Sequence, residues 1–176
     1  QQAKDQLEDV LEQLRKKQQE ELLAALEARF RAMLAQQLEC TKQTARLGDL
    51  GQANWKRSDQ LELADLSQKQ RWVGTQADAT LQILVEEGTT VVFPQLIEQV
   101  RDDALAVADR LAAADTGRFV RITQGELEQA TRPLLDADKQ MQKENEQNEG
   151  GGGGGNGNQP LLPGWAELKL LRAVQL

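Results

Sequence analysis

The residues best placed to do chemistry are few. Asp136-Ala137-Asp138-Lys139-Gln140-Met141 begins like a calcium-binding loop. Met141, however, occupies the position where the sharp turn of such a loop needs glycine, and Gln147 the position where a bidentate glutamate closes the shell. Glu86-Glu87 and Asp102-Asp103 are carboxylate pairs of the kind that could share general acid and base work, but pairs on helices more often form a solvated face. Asp102 and Asp103 lie opposite the apolar Val100 and Val107, as a face turned to water should. Six consecutive glycines at 150–155 suggest a phosphate loop, yet no Gly-Lys-Ser/Thr follows and no strand-like run precedes them.

Absences narrow the chemistry further. With no histidine, the Glu-x-x-His sites of di-iron bundles and the common zinc arrangements have no ligands. The single cysteine, Cys40, can form no intrachain disulfide, and its place on an apolar seam predicts a packed thiol rather than a nucleophile. No catalytic, cofactor-binding or metal-ligating residue is assigned, no small-molecule substrate is evident, and the expectation is a non-enzymatic protein. The net charge of −7 disfavours nucleic acid, whose phosphates it would repel. No run nears the roughly 20 apolar residues a bilayer crossing needs, so direct membrane insertion is not expected.

The rest of the chain reads as scaffold. Aromatics are only 3% of 176 residues, so the interior must be built from aliphatic side chains and alanine, which suits slender helix pairs. Leu23, Leu26, Phe30, Met33, Gln37, Cys40, Thr44 and Leu47 alternate gaps of three and four, the spacing of one helix face docked along another. Leu63, Leu66, Gln70, Val73, Ala77, Thr80 and Leu84 repeat that rhythm, with Trp72, Ala79 and Ile83 widening the face. A third seam runs through Phe93, Ile97, Val100, Ala104, Val107, Leu111 and Ala114. The polar members Gln37, Thr44, Gln70 and Thr80 either fix register or mark wet stretches.

The spacing predicts a first helix over 1–47, about 70 Å long, with Gly48 as its C′ residue. A second is expected from Ser58, as cap, to Glu87, antiparallel to the first, with Gly74 admitting a neighbour closely. A third starts at Thr89 or Thr90, holds Pro94 in its first turn and is closed by Gly117. Residues 118–122 are expected as a connector, and Thr123-Gln124-Gly125-Glu126 as a capping box opening a fourth helix. Its apolar side is Leu127, Ala130, Leu134, Leu135 and Met141, with a kink at Pro133. The fold class expected is all-α: an elongated antiparallel bundle or coiled coil of about four long helices over 1–149. A Gly/Asn tether follows at 150–159, then a fifth helix over 160–176 that the sequence truncates.

Two apolar stripes have no obvious mate. Leu7, Val10, Leu11 and Leu14 are separated from the first seam by seven residues, 15–21, without an apolar side chain, which should stand in water. Trp165, Leu168, Leu171 and Val174 lie beyond the tether. Both stripes are candidate interaction sites for a protein partner or for self-association. Trp55 and Trp165 are expected to plug ends of the bundle. The missing initial Met and the pattern broken at Leu176 suggest a section of a longer protein.

Four stretches carry a resemblance. Leu-Ala-Ala-Leu-Glu-Ala-Arg-Phe-Arg-Ala-Met-Leu at 23–34, Glu-Glu-Gly-Thr-Thr-Val-Val-Phe-Pro at 86–94, Val-Arg-Asp-Asp at 100–103 and Ala-Glu-Leu-Lys-Leu-Leu-Arg from 166, running on to Leu176, occur in this order. They resemble a group of large, uncharacterised helical proteins of planctomycete-type bacteria. The resemblance implies a long, exported and membrane-tethered protein, hence a periplasmic or cell-envelope location, in which this stretch is one helical section with a low-complexity loop before the last motif. It implies no activity. The expected function is a structural or protein-interaction module of a larger assembly; the alternative is a regulatory adaptor whose tethered last helix docks and releases.

Overall fold

The structure, a computed structural model, describes residues 2–86 and 92–148. All regular elements among them are helical: α1 (Gln2–Leu50), α2 (Arg57–Glu86), α3 (Val92–Ala112) and α4 (Arg118–Asn148), with one 3-10 turn at Gln52–Asn54. The glycine run at 150–159, the stripe Trp165, Leu168, Leu171 and Val174, and the expected caps Thr89 and Thr90 lie outside the described residues.

The helices form an antiparallel four-helix bundle in which each packs on its two neighbours around a ring, α1 on α2, α2 on α3, α3 on α4 and α4 on α1. Cross-helix bonds fix the direction. Gln70 meets Gln37 and Arg46 meets Glu62, so numbers rise along α2 as they fall along α1. The eight seam positions expected on α1 and the seven on α2 are all buried, as are six of the seven on α3. Ala114, the seventh, is half-buried. Spacing alone accounts for this, because a stripe repeating every three or four residues can leave water only by facing another such stripe. Trp72 departs from expectation: it is 39% exposed on the outer edge of α2, and Ala79 and Ile83 are half-buried, so the α2 face is narrower than the sequence suggested.

Glycine 74 has the close-approach role expected of it. A Cβ there would lie 2.8 Å from Leu105 Cδ2, 2.9 Å from Leu105 Cγ and 3.4 Å from the Arg101 carbonyl oxygen, so α3 rests directly on the α2 backbone. Ser67 reinforces that contact by donating to the Ala108 carbonyl at 2.8 Å.

Helix ends differ from the sequence reading. Gly48 does not terminate α1, which runs on to Leu50. A side chain at 48 would stand 3.1 Å from the Thr116 carbonyl oxygen, so this glycine admits the α3–α4 turn. The left-handed residue that turns the chain is Gly51, with φ of 73°. Helix α2 begins at Arg57 and is not capped by Ser58; instead the Lys56 N–H donates to Asp59 Oδ2 at 2.8 Å, the returning half of a capping box. Helix α3 keeps Pro94 in its first turn but closes before Gly117. Its C′ residue is Ala114, at φ of 62°, where the Ala114 N–H donates to the Leu111 carbonyl and the Asp115 N–H to that of Arg110, a Schellman motif without its usual glycine.

The largest correction concerns α4. Residues 118–122, expected as a connector, are its first turn, and Thr123 and Gln124, expected at a cap, are buried inside it. Val120, Gln124, Leu127, Thr131 and Leu134 form a seam spaced four, three, four and three, and burying Val120 requires the helix to start early. The Gly117 carbonyl accepts the Arg121 N–H, while Asp115 Oδ1 accepts the Gly117 N–H at 2.8 Å. The helix passes through Pro133 and continues over the Asp136–Gln140 stretch, so no calcium loop forms there.

Candidate functional site

Residues 2–20 of α1 form an arm. Arg121 pairs with Asp49 at 3.1 Å and Gln124 bonds Thr44 at 3.1 Å, so each step toward the C-terminus of α4 matches a step toward the N-terminus of α1. Carried along that register at equal rise, Asn148 falls level with about residue 21 of α1, and the Gln37–Gln70 bond places Glu86 at about the same level. Residues 2–20 therefore extend about 30 Å beyond the described parts of the other helices.

On this arm Leu7, Val10, Leu11 and Leu14 are 60, 51, 46 and 53% exposed. They occupy one face of the helix and no described residue covers them, whereas the core seam, carried back from Leu23 by gaps of four and three, passes through Gln19, Lys16 and Glu12 on a different face. The seven-residue polar stretch 15–21 is exposed apart from the half-buried Gln19, which matches its reading as solvated. Lys4 and Glu8 form an i, i+4 pair at 3.4 Å, and Lys17 and Glu21 another at 3.9 Å, both in full solvent and worth little to stability. The second candidate stripe, from Trp165 to Val174, lies outside the described residues, so the structure does not place it beside the first.

At the opposite end of the bundle lies a shallow cavity of about 400 Å³, lined by Gln52, Trp55, Gln60, Leu63, Ser67, Leu111 and neighbouring residues. Trp55 stands at the end of the 3-10 turn that connects α1 to α2. There its ring is half-buried against the core and its Nε1–H donates to the Leu47 carbonyl at 2.9 Å. That placement agrees with a plug of the bundle end. No ionisable side chain lines the cavity, so it offers no acid or base for catalysis.

The core carries a polar layer. Gln124 donates through Nε2 to Gln70 Oε1 at 3.2 Å and to Thr44; Gln70 donates to Gln37 Oε1 at 2.6 Å; Gln37 donates to Thr41 Oγ1 at 3.3 Å. Gln37, Thr44, Gln70 and Gln124 are all buried. The polar seam residues at 37, 44 and 70 thus resolve to cross-helix bonding in a buried layer, and Thr80 is buried with its hydroxyl donating to the Gln76 carbonyl. Sequence reading missed Gln124, although the rhythm from Val120 to Leu134 marked it.

Of the other chemical candidates, Cys40 is buried in the core. Burial pushes the Cys40 thiol up to about 11, with a hydrogen bond from Gln36 opposing the shift. Asp102 is exposed, but Asp103, expected to face water, is half-buried; burial and then the nearby Glu126 carboxylate raise its pKa. Glu86 is exposed at the last turn of α2, and Glu87 lies outside the described residues. Among the described residues no group of three or more His, Cys, Asp or Glu side chains could hold a metal, and no helix is long and apolar enough to cross a membrane.

No protein-family model, no curated protein and no solved structure matches this chain.

Proposed function

We propose that this chain is a non-enzymatic docking module: a four-helix body that holds out the α1 arm so that Leu7, Val10, Leu11 and Leu14 engage a helical protein partner. The observation that carries this reading is the coincidence on one arm of four half-exposed aliphatic side chains and the absence of any described helix beside them. A helix offering apolar residues at three- and four-residue spacing is suited to a groove or to a second helix. The arm grows from a body fixed by packing and by the glutamine layer, which makes it a spacer as well as a contact. By the resemblance of its four motifs, the assembly it joins is one of the cell envelope.

The test is replacement of Leu7, Leu11 and Leu14 together by Ser. The variant is expected to keep the thermal melting of the body and to lose proteins co-purified with the unaltered chain, or its self-association by light scattering. Unchanged co-purification and unchanged mass would contradict the reading. A second reading, a regulatory adaptor whose last helix docks and releases, is favoured by the position of Asn148, level with the base of the arm and followed in sequence by the glycine run.

A further inference from the structure

The base of the arm and the last described residue of α4 lie at one end of the bundle. Helix α4 ends at Asn148, level with about residue 21 of α1, and 28 residues follow it. The stretch 149–159 can span up to about 37 Å when extended, whereas the α1 axis from Glu21 back to Leu7 covers about 21 Å. Every part of the Leu7–Leu14 stripe is within reach of whatever residue 160 begins. What begins there is a second apolar series, Trp165, Leu168, Leu171 and Val174, whose nine residue steps would cover about 14 Å as a helix against about 11 Å for the seven steps of the stripe on the arm.

Charge selects between occupants. Residues 2–14 carry one cation, Lys4, against four acids, Asp5, Glu8, Asp9 and Glu12. Residues 160–176 carry two cations, Lys169 and Arg172, against one acid, Glu167. Two copies of the arm laid together would set acid against acid, while the arm and the C-terminal segment bring opposite signs together. Tethering adds an effective concentration that a separate partner has to exceed.

We propose that residues 160–176 of the same molecule lay their Trp165, Leu168, Leu171 and Val174 series along Leu7, Val10, Leu11 and Leu14 of the α1 arm. The proposal rests on the arm being a docking surface and names its resident occupant. An external partner then binds by displacing the chain's own C-terminal segment.

The experiment uses the full chain with Cys40→Ala, Gln13→Cys at the edge of the stripe, and Gln175→Cys, treated with a short bismaleimide. The control replaces Gln13→Cys by Val85→Cys, an exposed position on α2 at the same end of the bundle. Crosslinking within one molecule is expected about tenfold faster than in the control, at a rate independent of protein concentration, and adding Leu7→Ser, Leu11→Ser and Leu14→Ser should return it to the control rate. Equal rates in test and control overturn the proposal, as does a product that joins two molecules at a concentration-dependent rate. If equal rates are found while the triple serine variant still loses co-purified proteins, the docking surface stands and only its proposed occupant falls.

Discussion

The Nε2 of Gln70 donates to Gln37 Oε1 at 2.6 Å inside the α1–α2 interface, with both side chains buried. That bond is the middle link of a chain of amides running from Gln124 through Gln70 and Gln37 to Thr41. Shifting α2 by one turn along α1 would separate the two amides and leave buried polar groups unpaired, so the layer specifies register. Truncating Gln70→Ala is expected to destabilise the bundle by about 2 kcal/mol in urea unfolding, because Gln37 is then left without its donor. A double-mutant cycle with Gln37→Ala should give a coupling of about 1 kcal/mol; additive effects would remove the bond from the account.

Leu105 rests where a side chain on residue 74 would be. Gly74→Ala gains about 1 kcal/mol in helix propensity but forces apart the backbone of α2 and the side chain of Leu105, an overpacking cost of about 1–3 kcal/mol. Net destabilisation is expected, with a lower thermal midpoint. Adding Leu105→Ala to Gly74→Ala should cost less than the sum of the single changes, since it vacates the contested space.

Ala114 holds a left-handed conformation that glycine adopts without steric penalty. Ala114→Gly should therefore stabilise the protein by about 0.5–1 kcal/mol, read as a higher urea midpoint at unchanged slope. Destabilisation would mean that the packing of the Ala114 methyl on the core outweighs its backbone strain.

How much of this was legible in the sequence depends on which physical rule decides each feature. The seams of α1 and α2 could be read residue by residue because periodicity and burial are the same fact seen twice. Helix ends could not, because a glycine has two uses. Gly48 resembles a terminator but serves to admit the Thr116 carbonyl, while the actual left-handed cap of α3 is an alanine whose type signals nothing. The Thr123–Glu126 pattern matched a cap locally, but burying Val120 extended the helix past it, a tertiary gain overriding a local preference. At the candidate site, the stripe from Leu7 to Leu14 was visible as a pattern. That the described parts of the neighbouring helices reach only to the level of residue 21 follows from register, which cross-helix contacts establish.

Cys40 should be silent toward alkylation in the folded protein. Its thiol, pushed up to about 11 by burial, is almost wholly protonated at pH 8, and its sulfur is out of solvent. Iodoacetamide labelling at pH 8 is expected to track unfolding across a urea series, with the midpoint found by circular dichroism. Rapid labelling without urea would place the thiol outside the core.

Helix α1 is one rod that carries residues 2–20 past the body. With Cys40→Ala, spin labels at Glu8→Cys and Lys42→Cys measure this directly by pulsed dipolar spectroscopy. A single narrow distribution near 51 Å, set by 34 residues of helix at about 1.5 Å each, is the expected result. A distribution centred below about 35 Å, or split into two populations, would mean that the arm folds back or breaks within 15–21, and the projecting docking surface would be lost with it.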